Sequence, residues 1–168
     1  MGRYRPPSPS KSPYITALGY EQLKDEEKAL WVRRRDVTKA LSAAAAEGDR
    51  SENAEYIYRK KELREIDRRI RYLQKRIPAL TVVNQPPTNQ DQVFFAAWVK
   101  LEAENGSIAE YRIVGPDEID HQPNYISMDS PLAQALLKRI CDDEIKVMTP
   151  GGETIYRIMD IQYEAGQS

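Results

Sequence analysis

The chain has 168 residues, 40% of them hydrophobic, which is enough for one large domain or two small ones. Its 25 basic and 26 acidic residues nearly balance, which argues against a protein that coats nucleic acid without specificity unless the charge is segregated along the chain. The single cysteine and the single histidine exclude an intrachain disulfide and a metal cage built from these residues.

The first predicted element, residues 1–14, contains four prolines, three serines and three basic residues, without an acidic one. Such a segment supplies no apolar core, so the composition predicts a disordered, proline-rich tail. No apolar stretch follows the basic residues, and no run in the chain approaches the ~20 apolar residues of a membrane span. We therefore expect a cytoplasmic protein with no membrane partner.

Residues 15–80 carry apolar side chains at steps of three and four, a repeat that is typical of a coiled coil. Thr16 is a suitable N-cap for the first helix, and Pro78 should close the second. The repeat is formed by Tyr20, Leu23, Leu30, Val37, Leu41 and Ala44, and then by Tyr56, Leu63, Ile66, Ile70, Leu73 and Ile77. We predict a long antiparallel hairpin of two helices, each of roughly 27 residues and about 40 Å at ~1.5 Å per residue.

The helical spacing of apolar residues ends at a polar linker that we predict at residues 81–92. Residues 93–164 contain short segments rich in valine, isoleucine and tyrosine, separated by turn signals, which indicate strands. The predicted strands are 93–101, 110–114, 125–127, 144–148 and 154–163, and the predicted helix is 131–139, capped by Asp129 or Ser130. The fold class is therefore α+β: a helical hairpin followed by a small antiparallel β domain with one helix.

The link between the two long helices, residues 48–56, is here called the tip. Gly48 should end the first helix, and Asp49 and Glu52 then stand three residues apart. This spacing fits a capping box at the start of the second helix. It also fits two carboxylates that complete a Mg²⁺ site on a partner, because two ligands are too few to hold the ion alone.

The second helix has nine basic and three acidic residues between 59 and 76. That excess is larger than pairing within the helix requires. The residues that helical spacing places on one face, here called the basic stripe, are Lys60, Lys61, Arg64, Arg68 and Arg71. The stripe suits a single polyanionic strand, and the alternative is an ordinary solvated helix face.

Several longer motifs resemble the bacterial Gre transcript cleavage factors, and some of them the GreB branch in particular. These motifs occupy residues 16–23, 48–56, 64–73, 93–99, 111–119 and 125–138. The resemblance covers residues 15–164 and implies a coiled-coil hairpin followed by an FKBP-like domain at residues 93–164. The label concerns the fold and carries no prolyl isomerase activity with it.

The resemblance also implies a function. The globular domain would dock on bacterial RNA polymerase through Asp129, Ser130 and Pro131, and the hairpin would enter the secondary channel. Asp49 and Glu52 would help hold a catalytic Mg²⁺ of the polymerase while the polymerase itself hydrolyses backtracked nascent RNA. The basic stripe would hold the 3′ segment of that RNA, and the factor would act as a monomer and would not be an enzyme.

Two other functions use the same features. A Gre-like channel binder could inhibit the polymerase without stimulating cleavage, but the intact pair Asp49 and Glu52 argues against this reading. A stand-alone Mg²⁺ nuclease would need more ligands close together than one pair of carboxylates, and it would cut naked RNA.

Overall fold

The structure is a computed structural model that describes residues 10–48 and 53–163. The chain divides into two compact units, one formed by Tyr20–Leu80 and the other by the described residues before and after that segment. Within the described ranges, no helix is both long enough and apolar enough to span a membrane.

The first unit consists almost entirely of two helices. Helix α1 spans Ala17–Ala46 and helix α2 spans Ala54–Arg76, followed by a single 3₁₀ turn at Ile77–Ala79. The hydroxyl of Thr16 accepts a hydrogen bond from the backbone N–H of Gly19 at 3.1 Å, which confirms the predicted N-cap of α1. The predicted end of α2 is also confirmed, because the helix gives way at Ile77, immediately before Pro78.

An apolar seam and three ion pairs join α1 to α2. Val37, Ile66 and Ile70 are buried in the seam, with Leu30 and Leu63 packed against them. Beside it lie three ion pairs between the helices: Arg33 with Glu62 at 2.9 Å, Arg34 with Asp67 at 2.7 Å and Glu26 with Arg69 at 2.6 Å. The lowest-numbered partner on α1 binds the highest-numbered one on α2, as the predicted antiparallel hairpin requires.

The second unit is built on a five-stranded sheet with the order β5-β4-β3-β7-β6. The bounds of its strands are Trp98–Ala103 for β3, Ile108–Val114 for β4, Tyr125–Ser127 for β5, Glu144–Thr149 for β6 and Gly152–Gln162 for β7. Helix α3, Pro131–Leu136, packs on the sheet through Ala133 and Leu136, which are buried with Val99, Ile113 and Ile158.

The sheet is mixed, whereas the sequence predicted an antiparallel one. Strand β5 pairs parallel with β4, because the long loop after Val114 brings the chain back in the same direction. A separate two-stranded parallel sheet joins β1, Tyr14–Thr16, to β2, Thr81–Val83. Residues 81–83 therefore belong to a strand and not to the predicted linker.

The predicted tail, residues 1–14, is also corrected in part. Residues 10–14 are described and Tyr14 lies in β1, while residues 1–9 lie outside the described ranges. The backbone N–H of Thr81 donates to the carbonyl of Pro13 at 2.7 Å, so the segment has backbone partners that its composition does not reveal.

Two further boundaries differ from the predictions. The strand predicted from residue 93 begins at Trp98, because Val93 instead exchanges hydrogen bonds with the chain after α3: its N–H donates to Arg139 and its carbonyl accepts from Lys138. The predicted helix 131–139 ends at Leu136, because Lys138 adopts a φ of 71°, outside the helical region. Cys141, the single cysteine of the sequence, is exposed.

A buried carboxylate fixes the segment that leads into α1. Glu118 is fully buried and accepts hydrogen bonds from the N–H of Thr16 at 3.0 Å, from its hydroxyl, and from the N–H of Gly115 at 2.8 Å. A Cβ atom on Gly19 would lie 2.1 Å from a carboxylate oxygen of Glu118, so only glycine fits there. The start of α1 is thus tied to the loop after β4.

Candidate functional site

One asparagine joins the last turn of α1 to the first turn of α2. The Oδ1 atom of Asn53 accepts a hydrogen bond from the N–H of Tyr56 at 3.1 Å, which makes Asn53 the N-cap of α2. Its Nδ2 atom donates to the carbonyl of Ala44 in the last turn of α1 at 2.7 Å. Asn53 therefore connects the end of one helix to the start of the other, a role that the sequence pattern did not predict.

The predicted tip carboxylates, Asp49 and Glu52, lie outside the described residues. The capping-box interpretation is nevertheless wrong, because the N-cap of α2 is Asn53 and the helix begins only at Ala54. The metal interpretation of Asp49 and Glu52 stays a prediction. Within residues 10–48 and 53–163, no cluster of three or more histidine, cysteine or acidic side chains could hold a metal ion.

All residues of the basic stripe are exposed on one face of α2. At 3.6 residues per turn they fall within an arc of about 100°, and this arc lies opposite the buried Ile66 and Ile70. The side chains concerned are Lys60, Lys61, Arg64, Arg68 and Arg71. The structure therefore brings the predicted stripe residues together on the solvent side of the helix.

Arginines of α2 that lie outside the stripe form ion pairs with carboxylates. Arg59 binds Glu55 at 2.8 Å and Glu62 at 3.1 Å, and Arg69 binds Glu26 at 2.6 Å. In the described part of the chain, no stripe side chain forms such an ion pair. The ammonium group of Lys60 lies 5.8 Å from the centre of the Tyr56 ring. Among the described residues, the positive charge of the stripe is thus not bound in ion pairs and stays available to an anion.

The three predicted docking residues follow one another but have different local roles. Ser130 is the N-cap of α3, and its hydroxyl accepts from the N–H of Ala133 at 3.2 Å. Pro131 occupies the first turn of α3, where its missing N–H costs nothing. Asp129 is exposed, and its N–H donates to the hydroxyl of Ser127 at 3.0 Å. The loop is therefore held by its own hydrogen bonds, while Asp129 and Pro131 face the solvent.

The carboxylate of Asp129 has a partner that the sequence analysis missed. Ser12, from the predicted tail, donates its backbone N–H to Oδ2 of Asp129 at 2.9 Å and its hydroxyl to Oδ1. The two residues are 117 positions apart, so no local pattern could have indicated the contact.

Comparisons with known proteins match both units. Residues 13–82 match the family described as "Transcription elongation factor, N-terminal", and residues 87–163 match "Transcription elongation factor, GreA/GreB, C-term". The chain is 54% identical to transcription elongation factor GreB of Pseudomonas aeruginosa and 54% identical to that of Xanthomonas axonopodis pv. citri, in both cases over 97% of this chain and 98% of the relative. A crystal structure of the GreA factor homolog 1 protein of Thermus thermophilus is 24% identical, covers 91% of this chain and 100% of the other, and has a TM-score of 0.41.

Proposed function

Because the chain belongs to the GreA/GreB family of transcription elongation factors, GreB type, we propose that it binds bacterial RNA polymerase through the secondary channel and stimulates the polymerase's own cleavage of backtracked nascent RNA. It would act as a single copy and would not be an enzyme by itself. The observation that carries this proposal is the exposed basic stripe of α2, which has no carboxylate partner among the described residues and runs along the arm that leads from the tip.

The proposed role of the tip is to supply oxygen ligands. Asp49 and Glu52 would each place a carboxylate on a Mg²⁺ ion that is shared with the active centre of the polymerase. Such an ion activates a water molecule and stabilises the charge that develops at the phosphate. Asn53 would support this role, because it holds the end of α1 and the start of α2 together on either side of the two carboxylates.

The proposed role of the stripe is to hold the extruded 3′ segment of the RNA. From Lys60 to Arg71 the helix rises by about 16 Å, so the stripe can meet more than one phosphate of a single strand. Each phosphate contact releases counterions and adds to the affinity without reading the base sequence. A factor that rescues arrested complexes at many positions needs binding of this kind.

The proposed role of the second unit is affinity for the polymerase. Asp129, Ser130 and Pro131 lie where the loop after β5 enters α3, and this segment is held by hydrogen bonds to Ser127 and by the cap of α3. An exposed carboxylate and an exposed proline on a fixed loop can meet a partner surface with little loss of conformational entropy.

The direct test uses purified RNA polymerase that has backtracked on a template, with nascent RNA labelled at its 5′ end. We expect that the protein, with Mg²⁺, shortens the labelled RNA and releases a 3′ fragment, and that it leaves naked RNA intact. Cleavage slower than that of the polymerase alone would contradict the proposal and indicate an inhibitory channel binder. Cleavage of naked RNA would instead indicate a stand-alone nuclease.

A further inference from the structure

An exposed carboxylate of the docking loop is held by a residue from the other end of the chain. Ser12 donates its N–H to one oxygen of Asp129 at 2.9 Å and its hydroxyl to the other oxygen. An exposed aspartate otherwise rotates about its side-chain torsions. With both oxygens engaged by one residue, the carboxylate of Asp129 is confined to one orientation.

Ser12 is itself anchored on the second unit. The next residue, Pro13, accepts the 2.7 Å hydrogen bond from the N–H of Thr81, and the strand β1 that follows pairs with β2. The ring of Tyr14 packs against that of Phe95 with 6.3 Å between the ring centres. The anchor continues into Ile15, which is fully buried. Ser12 is therefore a fixed donor and not part of a freely moving tail.

The backbone on the other side of the contact is equally constrained. The N–H of Ser130 donates to the carbonyl of Ser127 at 2.9 Å, and the side chain of Gln134 donates to the carbonyl of Met128 at 2.7 Å. These bonds fix the loop on both sides of Asp129. The remaining freedom of Asp129 lies in its side chain, and this is the freedom that Ser12 removes.

We propose that Ser12 is a positioning residue for polymerase docking, which acts by holding the carboxylate of Asp129. The inference rests on the docking role proposed for Asp129. An ionised carboxylate accepts about four hydrogen bonds, so Asp129 keeps acceptor positions for donors of the polymerase after it has bound Ser12. Ser12 thus confines the side chain of Asp129 before the polymerase binds. The conformational entropy of this side chain is then not lost on binding, and the affinity is higher.

The test measures the affinity of full-length variants for RNA polymerase in a competition assay. Ser12→Ala removes the hydroxyl donor and keeps the backbone N–H, so we expect it to weaken binding about threefold, at the lower end of the range for the ordering of one side chain. Ser12→Thr keeps both donors and should bind like the parent. Ser10→Ala is the matched control, because Ser10 is exposed and makes no hydrogen bond to other residues of the described chain. The cleavage rate at saturating concentration should be the same for all of these proteins.

A double variant separates positioning from direct contact. If Ser12 acts through Asp129, Ser12→Ala should weaken binding no further in a protein that already carries Asp129→Ala. A full additional loss would overturn the inference, since Ser12 would then contact the polymerase itself. Tighter binding of Ser12→Ala would also overturn it, because the N-terminal segment would then mask Asp129.

The same measurements distinguish this inference from the docking role on which it rests. If Asp129→Ala weakens binding and Ser12→Ala does not, only the positioning role is wrong. If Asp129→Ala binds like the parent, the docking role of Asp129 is wrong and the positioning role with it. The melting temperature of Ser12→Ala should match that of the parent. If Ser12→Ala melts at a lower temperature and Ser12→Thr does not restore binding, the contact serves folding and the positioning role is wrong.

Discussion

The first unit, here called the hairpin unit, and the second unit, here called the sheet unit, differ in the partners of their charged residues. In the sheet unit, Asp129 is held by hydrogen bonds from Ser12, and Glu118 is buried with three donors. In the hairpin, the ion pairs lie beside the seam, while the basic stripe on the outer face of α2 has no carboxylate partner among the described residues. The difference supports the proposal that the sheet unit provides specific docking and that the hairpin binds a flexible polyanion.

The largest effect is expected at the tip of the hairpin. Asp49→Ala or Glu52→Ala should lower stimulated cleavage by at least about a hundredfold, the order of magnitude lost when a group that stabilises a transition state is removed. Affinity for the polymerase should stay near that of the parent, because the proposed docking residues lie in the other unit. Cleavage assays on backtracked complexes, paired with a competition assay, measure both quantities. Parental cleavage by both variants would exclude the metal role.

The docking loop should give the opposite result. Asp129→Ala or Pro131→Ala should raise the concentration needed for half-maximal cleavage roughly tenfold, the loss typical of an interface anchor. The rate at saturation should survive, since the tip is unchanged. A titration of the cleavage rate against protein concentration measures both parameters. If saturation cannot restore the rate, the loop does more than bind.

The basic stripe should matter most when much RNA is extruded. Replacing Lys60, Arg64 and Arg68 by glutamine should slow the cleavage of deeply backtracked complexes several-fold, and hardly affect complexes that have moved back by one or two nucleotides. Each lost phosphate contact should also make the salt dependence less steep, by about 0.7 in the slope of log affinity against log salt. Rates measured over a series of salt concentrations on both kinds of complex provide the check.

A matched variant on the other helix shows whether position or total charge decides this effect. Lys28, Arg35 and Lys39 are exposed on α1, and replacing them by glutamine changes the net charge by the same amount. We expect this control to cleave deeply backtracked complexes like the parent. Equal defects in the two triple variants would mean that the protein responds to overall charge, and that the stripe is only a solvated face.

The smallest effect is expected for an ion pair beside the seam. Hydrogen bonds from Arg33, assisted by Arg59, lower the pKa of Glu62 below its ordinary value of 4.5. A carboxyl group whose pKa is lowered by folding stabilises the fold above its unfolded pKa, and this stabilisation is lost as the pH falls below about 4.5. Glu62→Gln should therefore lower the melting temperature at neutral pH by about one or two degrees and reduce its dependence on acid pH.

Circular dichroism at 222 nm is the suitable measurement, because α1 and α2 contribute 30 and 23 helical residues against six in α3. Glu65→Gln provides the control, since Glu65 is exposed and has no ion pair within the described chain. An equal change in both variants would show that the contacts of Glu62 with the arginines add nothing to stability.

Local features of the fold could be predicted from the sequence. The steps of three and four in the apolar residues identified both arms of the hairpin, because a coiled-coil seam imposes this period. Thr16, Pro78 and Ser130 marked helix ends through side-chain chemistry that acts within one turn. The stripe was also predictable, since helical spacing alone places its residues on one face.

Contacts between distant segments could not be predicted in the same way. Strands β1 and β2 have three residues each, which is too short to show an alternating pattern. The strand predicted at 125–127 is present, but its sequence does not indicate that it pairs in parallel with β4. Ser12 and Asp129 are separated by 117 positions. The N-cap of α2 was missed for another reason: Asp49, Ser51 and Asn53 are all good caps, and only the position of Ala54 as the first helical residue decides among them.

One titration tests whether the tip determines the cleavage rate and the docking loop determines the affinity for the polymerase. Cleavage of a backtracked complex is followed against increasing concentrations of the parent, of Asp49→Ala and of Asp129→Ala. We predict that Asp49→Ala lowers only the rate at saturation, and that Asp129→Ala raises only the concentration at half-saturation. If both substitutions changed the same parameter, the assignment of chemistry to the hairpin and affinity to the sheet unit would be contradicted.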